Sequence, residues 1–199
     1  MIPRRRSVPA PFSVLLLTMA AVVPACAVAA DYPARPIRYV VAFAPGGIND
    51  MLARIVGQKL TEAWGQQVIV DNRPGAGGNL GAELVAKSQP DGYTLLNVST
   101  AHAIAQTLYA RLGYSLARDL TPVVLMGSSP LMTAVNPGLP VKSVAELISH
   151  AQSNRMAYAS GGVGVISHLA MEMLKTAGKF DATHVPYKGA GPAVADLIG

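Results

Sequence analysis

Residues 37–56 constrain the fold of this chain more than any other stretch. A near-continuously apolar run ending in Val40-Val41-Ala42-Phe43-Ala44 is closed by Pro45-Gly46-Gly47, and Ile48-Asn49-Asp50 leads at once into Met51-Leu52-Ala53-Arg54-Ile55-Val56. An apolar run of that kind is a strand buried on both faces, hence a central parallel strand. Residues 51–63 repeat with Leu52, Ile55, Val56 and Leu60 on one side, a helical period. Asn49 or Asp50 is available as its cap, and Gly65 suits its end. Strand, tight turn and helix start make an anion site when glycines admit a ligand to the backbone N–H groups. The same unit also occurs as an ordinary βα turn that binds nothing.

The pattern repeats. Residues 68–72 form a second apolar run, 80–87 a helix and 94–99 a third strand, with Pro90-Asp91-Gly92 as the turn before it. Strands alternating with helices at this spacing predict an α/β fold with a parallel sheet and right-handed crossovers. A short helix follows at 103–109. Two further strands are expected at 120–126 and 131–135, and Gly127-Ser128-Ser129-Pro130 between them reads as the passage, and the hinge, from one lobe to another. Ser143 followed by Glu146 is a capping box for a helix at 143–151. Strands at 156–160 and 182–186 flank a helix that reaches Ala177, and Tyr187-Lys188-Gly189-Ala190-Gly191-Pro192 opens a last helix.

The chain of 199 residues is 51% hydrophobic and 14% charged, enough apolar material for a sizeable core. Arg4, Arg5 and Arg6, the apolar stretch at 14–23 and Ala27-Val28-Ala29 read as an export signal over 1–30, cleaved near Ala29 or Ala30. Removing those arginines leaves 13 basic against 11 acidic residues, a net charge of +2. No run of five basic residues exists, so nucleic acid has no electrostatic footprint. Cys26 is the single cysteine, so the mature part has no disulfide; a lipoprotein anchor at Cys26 is the minor alternative to a free periplasmic protein.

Enzyme signatures are missing. The glycines of Gly75-Ala76-Gly77-Gly78-Asn79-Leu80-Gly81 follow the second strand and do not have dinucleotide spacing, so they read as turn and helix-packing glycines. His102, His150, His168 and His184 form no i, i+4 pair and have no cysteine partners, so no metal or other cofactor is expected. His150 reads as a helix C-terminal charge and His184 as a satisfied core histidine. No nucleophile elbow occurs, and Ser167 and His168 are neighbours that do not face each other on a helix. What remains are small and polar residues at four strand-to-loop junctions, which in a parallel sheet face the ligand crevice.

The residues that carry those junctions resemble a known family. Tyr32-Pro33-Ala34-Arg35-Pro36-Ile37, Pro45-Gly46-Gly47 through Arg54, Asn72-Arg73-Pro74-Gly75-Ala76-Gly77-Gly78-Asn79, Pro90-Asp91-Gly92-Tyr93-Thr94-Leu95-Leu96 and His184-Val185-Pro186-Tyr187-Lys188-Gly189 occur in register over residues 31–199. They are similar to motifs of the tripartite tricarboxylate transporter substrate-binding proteins, the Bug receptors. The resemblance implies a two-lobed periplasmic binding protein fold, type II-like, with parallel-dominated sheets flanked by helices and its C-terminal part missing. Lobe 1 would span 31–127 and lobe 2 would span 128–199. It implies a monomeric receptor, not an enzyme, that holds a small organic acid and hands it to a membrane permease. A sensor docking on a histidine kinase is the alternative, and an α/β hydrolase or transferase the more remote one. The implied contacts are Pro45, Gly46, Gly47, Ile48, Asn49 and Asp50 in the first loop. Gly161, Gly162, Val163, Gly164, Val165 and Ser167 follow in the second, and the strand-to-loop junction after the third strand adds Ser99, Thr100 and His102 as candidates. Ile48, Asn49, Val163, Val165 and Ile166 depart from the family's more polar pattern, so the expected cleft is less polar and suits a monocarboxylate or an aromatic acid.

Overall fold

The computed structural model describes residues 31–199; the export signal and Cys26 lie outside the described residues. The alternation read from the sequence is present. β1 (Ile37–Val41), α1 (Ile48–Trp64), β2 (Val68–Asn72), a 3-10 turn (Ala76–Gly78), α2 (Asn79–Ala86), β3 (Thr94–Asn97) and α3 (Thr100–Leu108) follow one another. β1 lies in the centre of a sheet of order β2-β1-β3, and both pairings are parallel. That position explains its composition. Ile37, Val40 and Val41 are fully buried, while β2 is only half-covered. Each such side chain contributes about 1.5–3 kcal/mol over an exposed one.

α4 (Val144–Ser153), β4 (Ala157–Ser160), α5 (Ile166–Gly178), β5 (Thr183–Pro186) and α6 (Ala190–Ile198) complete the order. β4 and β5 pair in parallel, with Tyr158 opposite His184 and Ser160 opposite Pro186. Residues 32–199 form one unit. Its main core cluster joins Tyr39, Val41, Ala42, Phe43, Ala53 and Ala101 to Val165 from the loop before α5. No helix among the described residues is long and apolar enough to cross a membrane.

Helix ends differ from expectation in detail. α1 is capped by Gly47, and neither Asn49 nor Asp50 caps it. Gly65 ends α1 in the left-handed conformation, φ 67°. α3 starts at Thr100, three residues early, because the His102 ring accepts from the Ser99 N–H and closes the first turn. Ser143 accepts from the Glu146 N–H at 3.2 Å, but the Glu146 carboxylate accepts from Lys142 N–H at 2.8 Å, so half of the expected box is displaced by one residue.

The expected strands at 120–126 and 131–135 do not form. Both stretches lack a ladder partner among the described residues. Val123, Leu125 and Met132 are 83–85% exposed. An apolar run becomes a strand only when a neighbour takes its N–H and C=O groups, and here none does. Met126 alone turns inward, packing on the core beneath Tyr39.

Candidate functional site

The turn after β1 is held from behind by one carboxylate. Asp50, in the first turn of α1, is 5% exposed. It accepts from the Gly46 N–H at 3.1 Å and from Asn72 Nδ2 at 3.0 Å, and it pairs with Arg54 at 2.9 Å. Asn72 also donates to the Phe43 carbonyl at 3.0 Å, tying β2 to the same turn. Burial alone would raise the Asp50 pKa. The hydrogen bonds from Arg54, Gly46 and Asn72 outweigh it and hold the carboxyl below its ordinary value. Gly46 has φ +86°, which favours glycine.

Pro45 and Gly46 are exposed, Gly47 and Asn49 half-buried, and Ile48 is exposed. This turn packs on the start of α6. A Cβ on Gly191 would lie 2.5 Å from the Pro45 carbonyl oxygen, and the Ala44 N–H donates to the Lys188 carbonyl at 2.8 Å. Ser99 and Thr100 begin α3 at the surface. His102 is fully buried, with burial lowering its pKa and backbone groups of Ser99 and Gly78 partly offsetting that. Its Nδ1 accepts from Ser99, which leaves the ring proton on Nε2, beside Gly78 and without a hydrogen-bond partner.

The loop between β4 and α5 forms the opposite wall. Gly162, Gly164 and Val165 are buried, Gly161 and Ser167 are half-buried, and Val163 is exposed. Ser167 Oγ accepts from the Gly161 N–H at 3.3 Å. The loop abuts the turn after β2: a Cβ on Gly77 would sit 2.5 Å from the Val163 carbonyl oxygen. Tyr109, ending α3, reaches the same carbonyl with its hydroxyl at 3.5 Å.

A cavity of about 380 Å³ lies between these loops. Gly161, Gly162 and Val163 line it, together with Phe43, residues 75–78, Tyr109, Pro186, Tyr187 and Lys188. The volume is that of a small-molecule site. Of the residues expected to bind, only the 161–163 segment borders it. The 45–50 turn packs on the start of α6 and does not border it, and Asp50 and His102 turn their side chains into the protein. Sequence reasoning had dismissed the Gly75–Gly78 stretch because its spacing fits no nucleotide motif. Its glycines serve close approach of backbone to backbone, and so they become cavity wall. Pro186, Tyr187 and Lys188 carried a usable signal, a strand-to-loop junction in a parallel sheet. Lys188 forms no ion pair among the described residues, whereas the Tyr187 hydroxyl donates to Asp196.

The sequence profile described as tripartite tricarboxylate transporter family receptor matches residues 52–199. Protein BugT of Bordetella pertussis is 41% identical over 180 residues, covering 88% of this chain and 55% of BugT. A UPF0065 protein of Pseudomonas sp. strain P51, from the tcbD–tcbE intergenic region, is 41% identical over 169 residues, 84% of this chain and 50% of its own length. The chain thus spans about half the length of the curated relatives it matches. Among solved structures, a Rhodopseudomonas palustris protein with adipate superposes at TM-score 0.80 and 40% identity, over 84% of this chain and 57% of that one. The periplasmic binding protein BugD superposes at TM-score 0.75 with 33% identity, over 83% and 56%. MatC of R. palustris, with bound malate, superposes at TM-score 0.72 with 34% identity, over 83% and 57%.

Proposed function

Because the chain belongs to the tripartite tricarboxylate transporter receptor family, we propose that it is the extracytoplasmic receptor for a small organic acid. The acid sits between the loops at the carboxyl ends of the two parallel sheets and is handed to a membrane permease of that transporter type. The receptor works in the periplasm as a monomer, exported by its N-terminal signal. The observation that carries the reading is the cavity bounded by residues 75–78, 161–163 and 186–188. Glycine main chain of 161–162 forms one wall, and Gly77 brings the 75–78 turn against the Val163 carbonyl. Lys188 supplies an unpaired cation at the rim.

Two glycine-bearing turns, 75–78 and 161–163, and the 186–188 junction border this space, so free backbone groups and Lys188 hold the carboxylate, and side chains set the shape. Phe43, Tyr109, Val163 and Pro186 make that shape apolar. We therefore assign the ligand to acids with an apolar body, aliphatic or aromatic, ahead of citrate. The adipate and malate complexes of relatives support a carboxylate of that size. The two lobes divide near 127/128, and closure over the ligand is a hinge motion around 127–131.

A thermal-shift screen with mono-, di- and tricarboxylates, aromatic acids, amino acids and nucleotides tests the reading. A ligand at a hundred times its dissociation constant adds about 2.7 kcal/mol, a shift of several degrees. The expected result is a shift with adipate or an aromatic acid larger than with citrate. Preference for citrate overturns the apolar assignment. A response to nucleotides alone overturns the receptor.

A further inference from the structure

Behind the 161–165 loop three near-parallel rings cluster. The His184 ring on β5 is 4.1 Å from that of His168 on α5 and 4.8 Å from that of Tyr158 on β4, and those two are 6.4 Å apart. The planes are within 18° of parallel. Both imidazoles reach the loop. His168 Nδ1 accepts from the Gly164 N–H at 3.2 Å. His184 Nε2 lies 2.7 Å from Ser160 Oγ. That hydroxyl accepts from the Gly162 N–H at 3.2 Å and donates to the Gly162 carbonyl at 3.0 Å. The single Ser160 proton has two acceptors in reach, the Gly162 carbonyl and His184 Nε2, and either tautomer of His184 completes the bond. Gly162 and Gly164 hold φ of +140° and +78°, so the loop's path depends on these anchors.

We propose that His168 and His184 are positioning residues for the carboxylate site, and that the uncharged pair holds the 161–165 loop in its binding form while a proton on His168 Nδ1 releases it. The inference rests on the receptor reading for its ligand, but not for the loop motion. Protonation at Nδ1 turns an acceptor into a donor facing the Gly164 N–H, which removes the anchor outright. A second charge on His184, 4.1 Å away, adds like-charge repulsion.

The surrounding charges are few and named. From α5, Glu172 and Lys175 face the stack, with Lys175 donating to Glu172 at 3.0 Å. From β4, the Tyr158 hydroxyl donates to Glu172. Before β5, Asp181 lies 3.4 Å from Lys175. Glu172 favours a charged imidazole but is already spent on two donors. Burial lowers the His184 pKa first, with His168 and Lys175 adding to it and Glu172 opposing. Unperturbed imidazoles change charge between pH 5 and 8.

The test uses the full chain and two readouts. Amide exchange of residues 161–165, corrected for the intrinsic pH dependence of exchange, is measured without ligand from pH 8 to 5.5. Adipate affinity is measured by calorimetry over the same range. In the wild type, loop protection is expected to fall on acidification and the dissociation constant to rise, by at most about tenfold per pH unit for one coupled proton. His168→Asn keeps an acceptor near the Nδ1 position and does not titrate, so both slopes should flatten, whatever its affinity at pH 8. His184→Gln, which keeps a donor toward Ser160, should show a shallower slope than wild type. Loop protection independent of pH in the wild type, or an undiminished slope in His168→Asn, overturns the proposal. If protection follows pH as expected but adipate and every other acid fail to bind, the switch stands and the receptor reading falls.

Discussion

At the scale of single residues, Asp50 is the side chain on which the β1 turn depends. It accepts from Gly46, Asn72 and Arg54 together, so Asp50→Ala leaves the Gly46 N–H without its acceptor and unties Asn72 and the half-exposed Arg54 from the turn. The expected loss is about 2–3 kcal/mol, seen as a lower urea midpoint. The folded-state pKa of Asp50 is depressed, so its contribution is complete above the ordinary carboxylate range and is lost as pH falls through the folded value. Wild-type stability should therefore decline on acidification more steeply than that of Asp50→Asn. The strand–turn–helix unit that carries Asp50 was legible in the sequence. That the carboxylate turns away from the cavity was not, because a residue at a helix start can face ligand or core equally well. The histidine stack was illegible for a different reason: His168 and His184 are joined only by the crossover of α5, and nothing local specifies a 4.1 Å approach.

At the scale of elements, period and punctuation were sufficient wherever a strand and its helix are neighbours in sequence. β1, β2 and their helices follow from apolar runs, glycine stops and a 3.6-residue repeat. Gly81 shows how tightly they are fitted: a Cβ there would lie 2.8 Å from the Ala42 Cβ and 2.9 Å from the Arg73 carbonyl oxygen. Gly81→Ala raises helix propensity by up to about 1 kcal/mol, but overpacking against β1 costs about 1–3 kcal/mol. The clash involves backbone, which yields little, so the variant should melt below the wild type in calorimetry. The stretch at 120–135 failed the same reasoning because a strand needs a partner from elsewhere in the chain, and apolar composition does not name one.

At the scale of the whole molecule, that stretch leaves Val123, Val124, Leu125 and Met132 at 75–85% exposure, above every other large apolar side chain among the described residues. Apolar surface of this continuity binds hydrophobic dyes. The protein is expected to enhance anilinonaphthalene sulfonate fluorescence in its folded state, and Val123→Lys with Leu125→Lys to reduce that enhancement without lowering the melting temperature. Which loops converge was the least legible level of all. The sequence offers many glycine turns, and only the packing of 77 on 163 and of 191 on 45 selects those that share a cavity. The bond from the Ala44 N–H to the Lys188 carbonyl, allowed because Gly189 brings no Cβ beside it, joins the carboxyl end of β1 to that of β5. One main-chain proton is therefore a clock: the rate at which it trades with solvent deuterium counts how often the two sheets part, without a label or a ligand to disturb them.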